Sequence, residues 1–415
     1  MFRPVRGMKD LYGPDMAKYS YVIKNASKVA KVYGYSMIST PIVEYTEVFQ
    51  RSIGDDTDVV SKEMYTFMDK GGELITLRPE GTAGIMRAIA TGSLAQRMPV
   101  KLMYYGEMFR YDRPQKGRYR QFHQLGAEHV GEKSPYTDVM TILLTSDILS
   151  SLKIQDCKIM INSLGDDETR KEYVDAVVQY LSQHEGRLSA DSKARLRKNP
   201  LRILDSKDAT DIEICFAAPR LKSCFTSEAG RYFDKVCELL ERSNQRYEID
   251  NFLVRGLDYY SHTVFEIKSP HERDSIGGGG RYDKLLKTLG GPDVSGIGFA
   301  FGVERLMQLV KDDSLPPRTK KAAVIPVSEK ENDAAMAICV QLHNYGIVTE
   351  FFHIGTMGKK MQTADKMGCD LALIIGENEC AGDYITVKYM YDDINKKKEQ
   401  TIDKNKMVEF LKYNL

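Results

Sequence analysis

The chain has 415 residues, 28% of them charged, and 59 Lys and Arg against 58 Asp and Glu leave a formal net charge of +1. That length exceeds one ordinary domain and suits two or three, each with its own core. A near-neutral total excludes binding to a polyanion by bulk charge, so any RNA contact must come from local basic patches. No apolar run approaches a membrane span, and the start, MFRPVRGMKD, lacks the apolar core of a signal peptide, so a soluble cytoplasmic protein with no membrane partner is expected. The seven cysteines, at 157, 215, 224, 237, 339, 369 and 380, contain no CxxC pair. They read as reduced packing residues, with neither a zinc site nor a disulfide framework expected.

From Asp15 to Tyr33, Tyr19, Val22, Ala26 and Val29 recur at helical spacing, and Gly34 stands at the stop. The next stretch, YSMISTPIVEYTEVF, reads as a strand, but Pro41 cannot donate to a ladder, which predicts a sheet edge or a contact with another subunit. Two strand-like pieces around Gly71 and Gly72 predict a hairpin. Pro79 and Gly81 then set Glu80 in a turn where a helix begins, and a carboxylate there suits a helix cap.

Both arms of Lys101 to Val130, KLMYYGEMFRYDRPQKGRYRQFHQLGAEHV, alternate in residue type and predict an antiparallel pair joined by a basic loop. In the second arm the period of two places Phe122, Gln124, Gly126 and Glu128 on one face, where the glycine leaves a gap for a small polar ligand against backbone. The loop holds Arg110, Arg113, Lys116, Arg118 and Arg120 against Asp112, a cation density that suits a polyanion as well as a solvated tip.

Thr137 to Leu152 reads as a helix and Cys157 to Leu164 as a short strand. Residues from about 168 to 245 form amphipathic helical pieces broken by Pro200 and Pro219. Within them Arg187 to Lys207 carries seven Lys and Arg against two Asp, either an RNA-facing patch or a solvated face. In FLVRGLDYYSHTVFEI a strand is expected to run into Arg255 and Gly256, turn through Asp258 with two tyrosines, and leave as Thr263 to Ile267. Tyrosine pairs commonly pack, and an arginine at a strand end commonly forms a salt bridge. The string GGGGRYDKLL, within Asp274 to Leu289, reads as a glycine-rich turn entering a helix; it matches neither GxGxxG nor a P-loop.

In SGIGFAFGVERLMQLV, Val303, Leu306, Met307 and Val310 make one helical face and Arg305 points away from it. An arginine in the first turn opposes the macrodipole, which calls for a compensating anion such as phosphate. Asp312 to Lys321 is polar and proline-bearing, as in a linker. Beyond it AAVIPV, IVTEFF, DLALIIG and YITVKYM alternate with helical stretches near 331–345, 359–368 and 404–413, which predicts an α/β sheet of mainly parallel strands.

FRYDRPQKGRYRQFHQ resembles motif 2 of class II aminoacyl-tRNA synthetases, in the form found in histidyl-tRNA synthetases. TLRPEGTAG resembles that family's amino-group loop, RGLDYY and GGGGRYDKLL its histidine-specific motifs, and GVERLMQLV its motif 3. The helix, strand and proline near the N-terminus are similar to motif 1, the dimer interface. The resemblance implies an α+β catalytic domain, 1–320, built on an antiparallel sheet with helices, and a C-terminal α/β anticodon-binding domain, 321–415. A helical insertion at about 168–245 would lie near the tRNA acceptor arm.

The implied activity is that of a histidine-tRNA ligase: L-histidine, ATP with Mg²⁺ and tRNA(His) react through a histidyl-adenylate, releasing AMP and diphosphate, in a homodimer. By the same resemblance Glu80, Thr82 and Gln124 hold the amino-acid end, while Glu128, Tyr259, Tyr260 and Tyr282 serve the imidazole. Arg255 and Arg110 act on the α-phosphate and carboxylate, and Arg110, Arg118 and Arg305 bind ATP. Arg113 and Gln115 at the hairpin tip are candidates for the acceptor stem, and His262, which departs from the family pattern, has no assigned role. His353-Ile354-Gly355-Thr356 approaches the class I tetrapeptide HIGH but lacks its context. The competing readings are a histidine-sensing regulatory paralogue, which usually lacks the final domain, and a class II enzyme for glycine, threonine or proline, which shares it.

Overall fold

The computed structural model describes residues 2–415 except 55, 56, 116, 205, 255, 256, 273, 274 and 392–398. They divide into two compact units, Met1–Leu315 and Pro316–Leu415. The first unit opens with α1 (Gly13–Val32), whose buried stripe is Val22, Ala26 and Ala30. The stretch expected as one edge strand is instead two, β1 (Ser36–Met37) and β2 (Val43–Tyr45), which lie on either side of Pro41 at the edges of two different sheets, since proline cannot donate to a ladder. After α2 (Thr46–Ile53) come the hairpin β3 (Tyr65–Met68) and β4 (Leu74–Leu77), and then α3 (Thr82–Thr91).

The central hairpin is β5 (Val100–Phe109) and β6 (Gln121–Val130), followed by α4 (Pro135–Ser151) and β7 (Lys158–Ser163). Four helices follow: α5 (Asp167–Gln183), α6 (Ala190–Lys198), α7 (Ala209–Phe216) and α8 (Ser227–Arg242). The unit ends with β8 (Glu248–Ile249), β9 (Ser261–Lys268), β10 (Gly277–Tyr282), α9 (Leu285–Thr288), β11 (Gly296–Gly302) and α10 (Val303–Leu309).

Among the described residues eight strands form one sheet in the order β1-β5-β6-β11-β10-β9-β7-β8. The pairings at its two ends are parallel and those between them antiparallel. Neighbouring residues go to opposite faces. Met103 and Phe265 join the core formed with α1, α4, α8 and α10, while Tyr104 and Val264 join the core on the other face. Each fully buried apolar side chain in these cores contributes about 1.5–3 kcal/mol. Helices thus cover the first face, and the site lies on the second. A smaller sheet, β2-β4-β3, stands beside it.

Two further expectations are corrected. The string GGGGRY is a strand, β10, and not a turn. Its glycines allow close approach: a Cβ on Gly279 would lie 2.0 Å from the carbonyl oxygen of Gly298, and one on Gly280 2.7 Å from that of Thr263. Before RGLDYY the strand is also shorter and earlier than expected, since β8 ends at Ile249 and a turn follows at residues 251–252.

The second unit contains β12 (Ala322–Pro326), α11 (Asn332–Asn344), β13 (Thr349–Phe351), α12 (Met357–Lys366) and β14 (Leu371–Ile375). It continues with α13 (Glu377–Ala381), β15 (Tyr384–Tyr389), β16 (Glu399–Asp403) and α14 (Met407–Asn414). Its sheet, β13-β12-β14-β15-β16, is parallel across the first three strands and antiparallel beyond, where a mainly parallel sheet was expected. The link from Ile375 to Tyr384 is too short for a crossover, so YITVKYM turns back beside its predecessor. After β13, His353 stacks on Phe351 with ring centroids 4.9 Å apart.

Packing at β10 generates a stability prediction. Gly279→Ala should lower the free energy of unfolding by about 2 kcal/mol in urea denaturation, because its methyl group must push β11 away. An unchanged midpoint and slope contradict this account.

Candidate active site

Glu128 of β6 is fully buried. One carboxylate oxygen accepts a 2.7 Å hydrogen bond from the Thr82 hydroxyl, and the other accepts a short one from Tyr282 of β10. Strand β11 lies between β6 and β10, so the contact must pass over it. Glycine makes that possible, because a Cβ on Gly298 would sit 1.7 Å from Glu128 Oε2 and one on Gly296 2.3 Å from the Tyr282 ring. Burial raises the Glu128 carboxyl to about 8, against the opposing pull of the Tyr282 and Thr82 hydrogen bonds.

Glu80 follows Pro79 just ahead of α3, where its two oxygens accept the backbone N–H groups of Thr82 at 2.8 Å and Ala83 at 2.7 Å. Those donors are ones a helix leaves unsatisfied, so the carboxylate is a cap as well as a wall residue. Burial raises its pKa, opposed by the same backbone bonds. Gln124 Oε1 accepts from Gly81 N at 3.2 Å, tying β6 to that loop. Tyr259, Tyr260 and Tyr282 form a ring cluster, with centroids 4.5 Å apart for the first pair and 5.8 Å for Tyr259 and Tyr282.

The gap expected at Gly126 is filled from within the sheet. Tyr104, directly opposite on β5, lays its ring there, and a Cβ on Gly126 would meet the Tyr104 hydroxyl at 2.5 Å. That hydroxyl is buried without a hydrogen-bond partner among the described residues. Its pKa lies well above the usual tyrosine value, first through burial and then through Glu128 and Glu80. Sequence reading missed Tyr104. The available signal was its position directly across the strands from a glycine.

A cavity of about 590 Å³ joins this polar end to a cationic one. Its walls include Glu80, Thr82, Gln124, Tyr259, Tyr260 and Tyr282, and also Arg110, Arg118 and Arg305. Arg110 donates to the Pro79 carbonyl at 2.8 Å and lies over the Phe122 ring; Arg118 meets Asp112 at 3.3 Å. Arg305 donates to the carbonyls of Gly117 and Ser275, joining α10 to the basic loop. Its neighbour Glu304, also unforeseen, accepts from the His123 backbone N–H at 3.0 Å and sits 2.7 Å from that ring's Nδ1. Arg113 and Gln115 are exposed at the loop tip and do not line the cavity. Lys116, Arg255, Gly256 and Asp274 lie outside the described residues.

Behind the site Arg281 and Asp138 form a fully buried ion pair. Arg281 also donates to the carbonyls of Glu132 at 3.1 Å and Ser134 at 3.3 Å, clamping the segment after β6 to β10 beside Tyr282. Among the described residues no group of three or more His, Cys, Asp or Glu is gathered to hold a metal ion.

Comparison with known proteins gives one family. The description Histidyl-tRNA synthetase matches residues 7–306, and Anticodon binding domain matches residues 321–414. Histidine–tRNA ligase of Rickettsia bellii (strain RML369-C) is 43% identical over 418 residues, covering 99% of this chain and 98% of its own. Its counterpart from Rhodospirillum rubrum is 43% identical over 414 residues, with the same coverage of 99% and 98%. Among solved structures, apo S. aureus histidyl-tRNA synthetase aligns with a TM-score of 0.82 at 31% identity, over 99% of this chain and 100% of that one.

The raised pKa of Glu128 generates a pH prediction. The folded chain keeps this proton after an unfolded glutamate, with a pKa near about 4.3, has released it, so stability falls as pH climbs from there. The loss ends near the folded value of about 8. Glu128→Gln has no such proton to lose. Its stability relative to the parent should therefore improve steadily from about pH 5 to about pH 8 in denaturant titrations. A pH-independent difference contradicts the assignment.

Proposed function

The chain belongs to the histidyl-tRNA synthetase family, and on that premise we propose that it ligates L-histidine to tRNA(His) through a histidyl-adenylate. The observation that carries this reading is a buried carboxyl group, Glu128, bound to Thr82 and Tyr282, two wall residues of a cavity whose other walls bear Arg110, Arg118 and Arg305. Neutral imidazole offers one ring donor and one acceptor. The unprotonated oxygen of Glu128 accepts from the first, and a tyrosine hydroxyl of the Tyr259, Tyr260 and Tyr282 cluster donates to the second. An apolar side chain would leave both groups unpaired, which is the basis of discrimination.

Glu80, Thr82 and Gln124 hold the ammonium and carboxylate end. ATP enters as its Mg²⁺ complex with the phosphates toward the arginines. One carboxylate oxygen of histidine attacks the α-phosphorus in line, the bond to the bridging oxygen breaks, and diphosphate leaves. Two anions meet in that step, so fixed cations lower its barrier. Arg110 serves the α-phosphate, Arg118 and Arg305 the distal ones. Arg255, outside the described residues, carries by resemblance the contact to carboxylate and α-phosphate. In the second step a hydroxyl of the terminal ribose of tRNA attacks the acyl carbon and AMP departs. Arg113 and Gln115 then face the acceptor stem.

Residues 1–320, with the insertion at about 168–245, form the catalytic domain in this reading, and 321–415 the anticodon-binding domain. We assign the chain to the cytoplasm; among the described residues no helix is long and apolar enough to cross a membrane. The small sheet supports a homodimer. Its rows Val43-Leu77-Tyr65 and Tyr45-Ile75-Phe67 share a face, and Val43, Tyr45 and Phe67 are exposed there. Such an apolar ladder suits a second copy of the same surface.

A panel of amino acids in ATP–diphosphate exchange tests the activity: histidine should support it and glycine, threonine and proline should not. Arg305→Ala should lower the histidine-dependent rate at least about 100-fold with the fold retained; exchange near the parental rate refutes its role. Phe67→Glu should shift the protein from dimer to monomer in sedimentation velocity, and an unchanged dimer removes this face from the interface.

A further inference from the structure

The loop that carries Tyr259 and Tyr260 is held from outside the catalytic sheet. Asp258, the first residue of DYY, makes polar contacts in three directions. Its backbone N–H donates to the Ile53 carbonyl at 3.2 Å, at the end of α2. There Gly54, at φ +97°, lets the carboxylate approach so closely that a Cβ would lie 2.8 Å from Asp258 Oδ2. The other contacts come from the inserted helices. The amide of Asn199 donates to both carboxylate oxygens, at 3.0 and 3.3 Å. Arg170 Nη1 donates to the Asp258 carbonyl at 3.1 Å and to that of Tyr260 at 3.5 Å.

Both donors are firmly placed. Asn199 closes α6, its N–H bonding to the Arg195 carbonyl at 2.8 Å. The segment around it is tied at both ends to one carboxylate, since Asp211 accepts from the hydroxyls of Ser189 at 2.7 Å, Ser192 at 2.6 Å and Ser206 at 2.7 Å. Burial would raise Asp211, but these bonds hold it down at about 2, so it stays ionised at neutral pH. Arg170 sits in the first turns of α5, whose cap Asp166 accepts from Thr169 N at 2.8 Å and from the Thr226 hydroxyl, the cap of α8, at 2.5 Å. The chain just before α5 is in turn bonded to β9, where His262, at φ 44°, donates its N–H to the Gly165 carbonyl at 2.8 Å.

We infer that Asn199 and Arg170 are positioning residues for histidine recognition, so that the helical insertion is a structural part of the amino-acid site and not only a neighbour of tRNA. Asn199 fixes the carboxylate of Asp258, and Arg170 fixes the two carbonyls on either side of Tyr259. Together they set the depth of the tyrosine pair against Tyr282 and Glu128. The inference rests on the reading of that pocket as the histidine site.

The test is ATP–diphosphate exchange in the full-length protein without tRNA. Asn199→Ala should raise the KM for histidine about tenfold while kcat and the KM for ATP stay within about twofold. Asn199→Asp, which faces Asp258 with a like charge, should do worse. The exchanged pair, Asn199→Asp with Asp258→Asn, restores a donor opposite an acceptor and should recover most of the histidine affinity. Melting curves for each variant separate this effect from loss of fold. An unchanged KM for histidine in Asn199→Ala, with only tRNA charging impaired, overturns the inference, and so does an exchanged pair no better than Asn199→Asp alone. A parent protein that exchanges no histidine defeats the reading of the pocket, and this inference with it.

Discussion

The site depends on one hydrogen-bonded carboxylate reached from two strands that are not neighbours. Glu128 and Tyr282 belong to β6 and β10, and β11 runs between them. Ordinary sheet geometry keeps such residues apart, because a side chain on the middle strand stands in the way. Gly298 removes it. Everything else at the closed end serves the same contact: Thr82 satisfies the second oxygen, and Arg281 with Asp138 holds the strand ends from behind. Burying an acid is costly unless its partners are in place, so the network is satisfied as a whole or fails as a whole.

The open end uses a different logic. Arg110, Arg118 and Arg305 come from the hairpin arm, its returning loop and α10, and two of the three are oriented by backbone carbonyls. A backbone carbonyl fixes the direction of a guanidinium and, unlike a carboxylate, brings no charge of its own. The His123 and Glu304 contact fixes α10 to β6 one residue from Gln124. The polar and the cationic walls of the cavity are therefore tied to the same strand.

Where a period of two or of 3.6 was intact, the elements were legible from residues alone. The alternation of Gln121 to Val130 put Gln124 and Glu128 on one face, and the apolar spacing of Val303, Leu306 and Met307 buried α10 as it should. Glycine is where reading failed. It has no strand propensity, so GGGGRY looked like a turn, although its lack of a Cβ is what lets β9, β10 and β11 close on one another. For the same reason Gly126 looked like an open gap, because the ring that fills it, Tyr104, comes from a different strand. Arg281, too, passed unnoticed, since its partner Asp138 lies far off in the chain and no local pattern marks such a pair. The grip of Asn199 on Asp258 was hidden likewise, being a contact between two loops of different segments.

The bare backbone at position 298 sets a limit on how this pocket can change over generations. Every alternative amino acid adds at least one carbon at the spot the Glu128 carboxylate occupies, so no graded series of sizes is accessible there. Any change of shape at this end of the cavity must arise on the flanking strands or on the tyrosine-bearing loop, while drift at 298 leads only to loss.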